Sequence, residues 1–160
     1  MQISILAIGR LKAGPEQELY DRFADRIRKS GKSLHISDLI LTEITESKSP
    51  DKSRRMKDEA DLLLSAAGEG AQIILLDERG KDVSSRDFAD LLIKYRDDGA
   101  NRLCFAIGGP DGHGEAIKQG SVRSIRLGSM TWPHQIVRIL LVEQIYRAIT
   151  ILSGHPYHRD

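Results

Sequence analysis

The last seven residues, Gly154-His155-Pro156-Tyr157-His158-Arg159-Asp160, hold two imidazoles, a phenol and a guanidinium, directly after a long apolar pattern. Chain ends are ordinarily frayed and chemically plain, so this density of titratable and anion-binding groups points to use. His155 and His158 are too few, on a proline-broken segment, to hold zinc. The single cysteine, Cys104, lies inside the apolar run "RLCFAIGG" as a buried, reduced packing residue, so neither a disulfide nor a multi-cysteine metal site is expected. Ser129 and His134 do not make a serine hydrolase, because no G-x-S-x-G elbow is present.

Three further stretches could contact a ligand: "LLDERGKDVSS", "IGGPDGHG" and "LGSMTWPH". Gly108 and Gly109 remove side chains where the chain leaves an apolar run, which permits either a tight turn or close approach of the backbone to a flat ligand. The loop lacks both G-x-G-x-x-G and a glycine loop ending in Gly-Lys-Ser/Thr, so phosphate cradling of those two kinds is disfavoured. "MTWPH" reads as a helix start with Pro133 in the first turn, and its N–H groups could receive an anion. Trp132, the only tryptophan, is either a core residue or part of that site. Asp77 and Glu78 are either solvated loop residues or a pocket rim. Arg138 falls on an apolar side of the last helical pattern, where a charge needs a partner. It either pairs with a core carboxylate or snorkels past the helix end, or it points at an anionic ligand such as a phosphate.

Short apolar runs alternating with amphipathic stretches must position these groups, and this is the pattern of the α/β class with a largely parallel sheet flanked by helices. Strands are expected at 3–9, in part of 34–44, and at 71–77, 102–109 and 124–129. Helices are expected at 15–30, 51–67, 85–98, 115–120 and 133–153, the last stopped by Gly154 and Pro156. The three ligand-competent stretches therefore all follow strands, at the edge where open α/β sheets bind ligands. The polar, proline-broken "ESKSPDKSRR" (46–55) reads as a mobile loop. The last helix is apolar around most of its circumference, with Glu143 and Arg147 spaced for an i,i+4 pair, and such a helix must be covered on more than one side, a partner subunit included.

Hydrophobic residues make up 40 % and charged residues 29 % of the chain, with no repeat, no dividing linker and no apolar run long enough to span a bilayer. One domain over 1–160 is expected, and "MQISILAIGR" reads as a first strand rather than a signal peptide, which implies a cytoplasmic protein. The net charge of +1 gives no global argument for nucleic acid, although residues 101–160 hold seven Lys/Arg against four Asp/Glu and four of the five histidines.

"LDERGK" (76–81), "FAIGGPDG" (105–112), "MTWPHQIVRILLVEQIYRA" (130–148) and "GHPYH" (154–158), in this order and spacing, resemble the small bacterial 23S rRNA (pseudouridine-N3)-methyltransferases of the SPOUT superfamily. The resemblance runs the full length, and Trp132 stands where the family usually carries another bulky apolar residue. It implies an S-adenosylmethionine-dependent enzyme with a C-terminal deep trefoil knot, over about 71–153, which general chain-topology rules would have argued against. It places the cofactor against Leu76, Gly108, Gly109 and the run Leu127, Gly128, Ser129, Met130, Thr131 and Trp132, with no metal. It also implies a homodimer in which the tail (154–160) of one subunit reaches the cofactor pocket of the other, acting on 23S rRNA within the assembled ribosome.

Pseudouridine N3 is an imide N–H that must lose its proton before it attacks a methyl carbon. On the resemblance, Tyr157 stacks on the base or a neighbour, His158 assists proton removal, and Arg159 holds phosphate or the developing anion, with His134 and Arg138 as a second tier. A near-neutral chain without an attached RNA-binding domain should bind free RNA poorly and need the ribosome to present its target. Two rival readings share the fold: a non-catalytic ribosome-associated factor, and a knotted methyltransferase acting on another RNA base.

Overall fold

A computed structural model of the protein describes residues 1–159; residue 160, the last of the expected tail, lies outside the described residues. The apolar runs form one sheet of β1 (Gln2–Ile8), β2 (Asp38–Ile44), β3 (Gln72–Asp82), β4 (Arg102–Ile107) and β5 (Arg123–Arg126). Their order is β2-β1-β4-β3-β5, and every neighbouring pair is parallel. The connecting helices are α1 (Pro15–Ser30), α2 (Lys52–Ala67), α3 (Ser85–Asp97), α4 (Glu115–Gly120) and α5 (His134–Leu152).

A parallel sheet needs cover on both faces, and the alternation of side chains along each strand sorts the core into two layers. Ile3, Ile5 and Ala7 of β1 and Leu103, Phe105 and Ile107 of β4 pack with α1, α3 and α5. The intervening Leu6, Ile8, Cys104 and Ala106 pack with α2 and α4. α5 lies against both α1 and α3, which explains why its sequence is apolar around most of its turn. Glu143 and Arg147 form the expected i,i+4 pair on it.

Local chemistry sets the ends. Ser84 and Asp87 form a capping box at α3, and the Asp51 side chain accepts from Arg54 N–H at α2. Gly154, at φ 69°, ends α5 in the left-handed region that glycine tolerates.

Two expectations are revised. β3 continues to Asp82 rather than ending at 77, because its pairing with β5 breaks after Leu76 and resumes at Lys81, leaving the intervening residues as a bulge. Gly80 permits this, since a Cβ there would lie 2.5 Å from the Ile125 carbonyl carbon. The segment expected as a mobile loop is tethered. Its last residues form the first turn of α2, Ser47 N–H donates to Glu59, and Arg55 donates to the Ser49 and Pro50 carbonyls. Among the described residues no helix is long and apolar enough to cross a membrane.

Candidate cofactor cleft

β3, β4 and β5 run parallel toward one edge of the sheet, and the β3 bulge together with the loops that leave β4 and β5 encloses a cleft of about 510 Å³. Leu76 and Ile107 line it from the strand ends, Gly108-Gly109-Pro110 line it from the second loop, and Leu127, Gly128, Met130, Thr131 and Trp132 from the third. His134 and Val137 contribute the start of α5, and Lys52 and Met56 the start of α2. Ser129 sits within the third turn without lining the cleft.

The third loop is held from within and from the bulge. The Trp132 indole donates to the Leu127 carbonyl at 3.0 Å, closing the turn, and the Thr131 hydroxyl donates to the Glu78 carboxylate at 3.3 Å. Arg126 and Asp82 add an ion pair at the base. Trp132 is 39 % exposed, so it is a wall of the cleft and not a core residue. Glu78 and Asp77 belong to the cleft lining.

The second loop is tight by construction. A Cβ on Gly109 would lie 2.7 Å from the Glu59 carboxylate and 3.1 Å from Ile8, so a side chain there must displace its neighbours. Arg55 pairs with Asp111 at 2.7 Å, fastening this loop to α2 and holding the Asp111 carboxyl below the usual range. Burial pushes the Glu59 carboxyl up, in the company of Glu46 and Asp111.

Sequence reading did not select His113, Glu59, Lys52 or Met56. His113 was visible as the histidine of "GGPDGHG"; the α2 residues gave no signal, because only folding brings that helix start to the loop.

Arg138 is 1 % exposed and does not line the cleft. Its guanidinium donates to Glu43 at 2.8 Å, to the Ile8 carbonyl at 2.8 Å and to the Gly9 carbonyl at 2.9 Å. These partners lie at the ends of β1 and β2 and are those of a buried ion pair; an exogenous anion would meet no open approach.

The tail lies on its own α5. The Tyr157 hydroxyl donates to Glu143 at 3.0 Å, its ring meets Tyr146 edge-on at 4.9 Å, and the Arg147 guanidinium lies 4.9 Å over it. Burial and the Glu143 contact push the Tyr157 phenol up. His158 Nδ1 stands 3.3 Å from Arg147 Nη1, and Arg159 is exposed. The cleft is lined by none of Tyr157, His158 and Arg159 of the same chain. Among the described residues no group of three or more His, Cys, Asp or Glu is placed to hold a metal ion.

Residues 1–158 match the family model described as "Predicted SPOUT methyltransferase". The chain is 49 % identical over 160 residues to "Ribosomal RNA large subunit methyltransferase H" of Chelativorans sp. (strain BNC1), covering 100 % of this chain and 92 % of that one. A protein of the same name from Brucella anthropi is 50 % identical over 160 residues, with 100 % of both chains covered. Another, from Rhizobium leguminosarum bv. trifolii, is 48 % identical over 159 residues, with 99 % of each covered. With the β3 bulge and two strand-end loops closing one cleft and a family match across nearly its whole length, the chain belongs to the SPOUT methyltransferase family.

Proposed function

We propose that the protein transfers a methyl group from S-adenosylmethionine to N3 of a pseudouridine in 23S rRNA, acting in the cytoplasm on the assembled ribosome. The observation that carries this reading is the convergence of the β3 bulge and of the loops after β4 and β5 on one cleft beside the start of α5, in a chain of this family. S-adenosylmethionine is the methyl donor of SPOUT methyltransferases.

The residues present suit that cofactor. A cleft of about 510 Å³ is within the range of small-molecule sites, roughly 300–1,000 Å³, and its walls combine glycine backbone and apolar side chains such as Leu76, Ile107 and Trp132 with charged groups at Asp77, Glu78 and Lys118. Leu76, Gly108, Gly109, Leu127, Gly128, Met130, Thr131 and Trp132 would hold it through main-chain groups, with Ser129 completing their turn and the Trp132 ring as a flat wall. When bound, the cofactor supplies an electrophilic methyl carbon on a sulfonium.

Acceptor activation falls to the tail. Tyr157 stacks on RNA, His158 takes the N3 proton, and Arg159 holds phosphate or the imide anion, while His134 borders the cleft at the reacting end. These roles require a second copy. α5 starts at the cleft, and the tail packs on it at Glu143, Tyr146 and Arg147, about 14–20 Å along the axis from His134. A two-fold pairing of α5 helices brings each tail across the other copy's cleft, and it gives the half-buried Leu140, Gln144 and Arg147 a partner surface. The trefoil knot belongs to the same proposal. It is supported by the family match and by β5 lying beside β3, beyond the bulge, with its following loop turned back to Glu78.

The net charge of +1 supports recognition by ribosome shape rather than by sequence-blind affinity for RNA. The test is mass spectrometry of 23S rRNA from a deletion strain, with and without the restored gene. A pseudouridine that gains one methyl group only on restoration supports the proposal. A methyl group on a different base favours the rival acceptor, and no change favours a non-catalytic factor.

A further inference from the structure

None of the roles above uses His113, yet it is 3 % exposed and borders the cleft. Its Nε2 lies 3.0 Å from the Leu76 carbonyl oxygen. A carbonyl only accepts, so Nε2 carries a proton, and in the neutral ring Nδ1 then carries none. That Nδ1 is buried and has no hydrogen-bond partner among the described residues. The Nδ1–Cε1 edge of the ring backs Gly108, where a Cβ would lie 3.2 Å from both atoms. One imidazole thus bridges β3, at the residue where its bulge begins, and the loop after β4, touching two residues that the proposed function assigns to the cofactor.

We infer that His113 is a positioning residue of the cofactor cleft, a neutral imidazole whose Nε2–H fixes the Leu76 carbonyl and whose opposite edge sets the path of Gly108. The inference rests on reading the cleft as the cofactor site. Burial holds the ring below the usual histidine range, against the Leu76 hydrogen bond and Asp77, which favour the charged form. The titratable and charged groups around it come from three elements: Asp77 from β3, Lys118 from α4 and His134 from α5, with Lys52 of α2 on the same cleft. Acid would add a proton at Nδ1, placing a cation behind the wall of a site for a cofactor that is itself net positive. S-adenosylhomocysteine, which lacks the sulfonium charge, should feel that cation less.

The test is calorimetric titration of S-adenosylmethionine and S-adenosylhomocysteine into wild type, His113→Gln and His113→Leu. A glutamine amide can donate from near the Nε2 position but cannot take up a proton. At about pH 7.5 the leucine variant should bind S-adenosylmethionine roughly tenfold more weakly, and the glutamine variant within about threefold of wild type. As pH falls from about 7.5 to the lowest value at which both proteins stay folded, wild type should lose affinity for S-adenosylmethionine more than for S-adenosylhomocysteine, with the divergence beginning below about pH 6.5, and the glutamine variant should lose the difference between them. Turnover at saturating cofactor should change less than the cofactor KM. Wild-type affinity in the leucine variant, or parallel pH profiles in wild type and the glutamine variant, would overturn the inference. If the leucine variant does not fold, the glutamine profile decides alone. Amide shifts in wild type on cofactor addition separate the two layers: shifts away from Leu76, Gly108 and 127–132 sink the cleft reading, whereas shifts there with unaltered variants sink only the role of His113.

Discussion

Replacing Arg138 by methionine distinguishes a guanidinium that holds the fold from one that holds a ligand. The side chain is 1 % exposed and makes three hydrogen bonds at 2.8, 2.8 and 2.9 Å, to Glu43 and to the Ile8 and Gly9 carbonyls. Breaking a buried pair by removing one partner costs about 3–5 kcal/mol, because the other charge stays behind without compensation. Glu43 softens this, being 25 % exposed at its side chain and keeping the Leu11 N–H at 2.6 Å, so the low end, about 3 kcal/mol, applies. At about 2–4 °C per kcal/mol for a chain of this size, the midpoint should fall by roughly 6–12 °C. Glu43→Gln in the same chain removes the orphaned charge and should recover about 1–2 kcal/mol. Scanning calorimetry and urea titration measure both, and calorimetry with S-adenosylmethionine should show near-normal binding below the transition. An unshifted midpoint with a raised KM for ribosomes would refute the reasoning and return Arg138 to ligand binding.

Other outcomes follow from the same contacts. Gly80→Ala places a Cβ 2.5 Å from the Ile125 backbone, so thermal unfolding should show a loss of about 1–3 kcal/mol and calorimetry weaker cofactor binding; an unchanged protein would mean the bulge relaxes freely. His158→Gln should lower turnover by about a hundredfold without changing the affinity for S-adenosylmethionine, and an equal loss of affinity would argue against a proton-transfer role. His113 is held below its unfolded value of about 6.5, so the unfolded chain binds more protons and the contribution of this residue is whole above about pH 6.5 and lost as pH falls toward the folded value. The urea midpoint should drop less steeply with acid in His113→Gln, and an identical slope would contradict that. Methylation of deproteinised 23S rRNA should be far slower than that of ribosomes, whereas equal rates would remove the need for the ribosome.

Much of this arrangement is visible in the residues. Alternating apolar runs bounded by glycine, Ser84 ahead of Asp87, and Gly154 with Pro156 mark elements whose observed limits differ from expectation by few residues, because those signals act locally. The β3 bulge is not visible, since residues 78–82 are polar and half-buried or exposed, and only Gly80 against the Ile125 backbone makes them strand. Trp132 misleads as a core residue because large aromatics are usually buried; its indole N–H instead closes a surface turn. Arg138 carried two readings, and the carboxylate that pairs with it, Glu43, is distant in sequence and adjacent only through strand order. The tail shows the clearest limit. Its residue types suggest chemistry and the resemblance implies a partner's pocket, but the packing of Tyr157 on Glu143 and Tyr146, apart from the lining of its own cleft, appears only once the helix is folded.

A subunit-mixing experiment tests the composite site most directly. One copy carries Gly108→Val, verified as folded and unable to bind S-adenosylmethionine, and the other lacks residues 157–160. Each alone should be inactive on ribosomes. After unfolding and refolding as an equimolar mixture, about a quarter of wild-type activity should return, since half the dimers are mixed and each then holds one intact cleft facing one intact tail. No recovery, in mixtures shown to contain mixed dimers, would contradict completion of the cleft by the partner's tail.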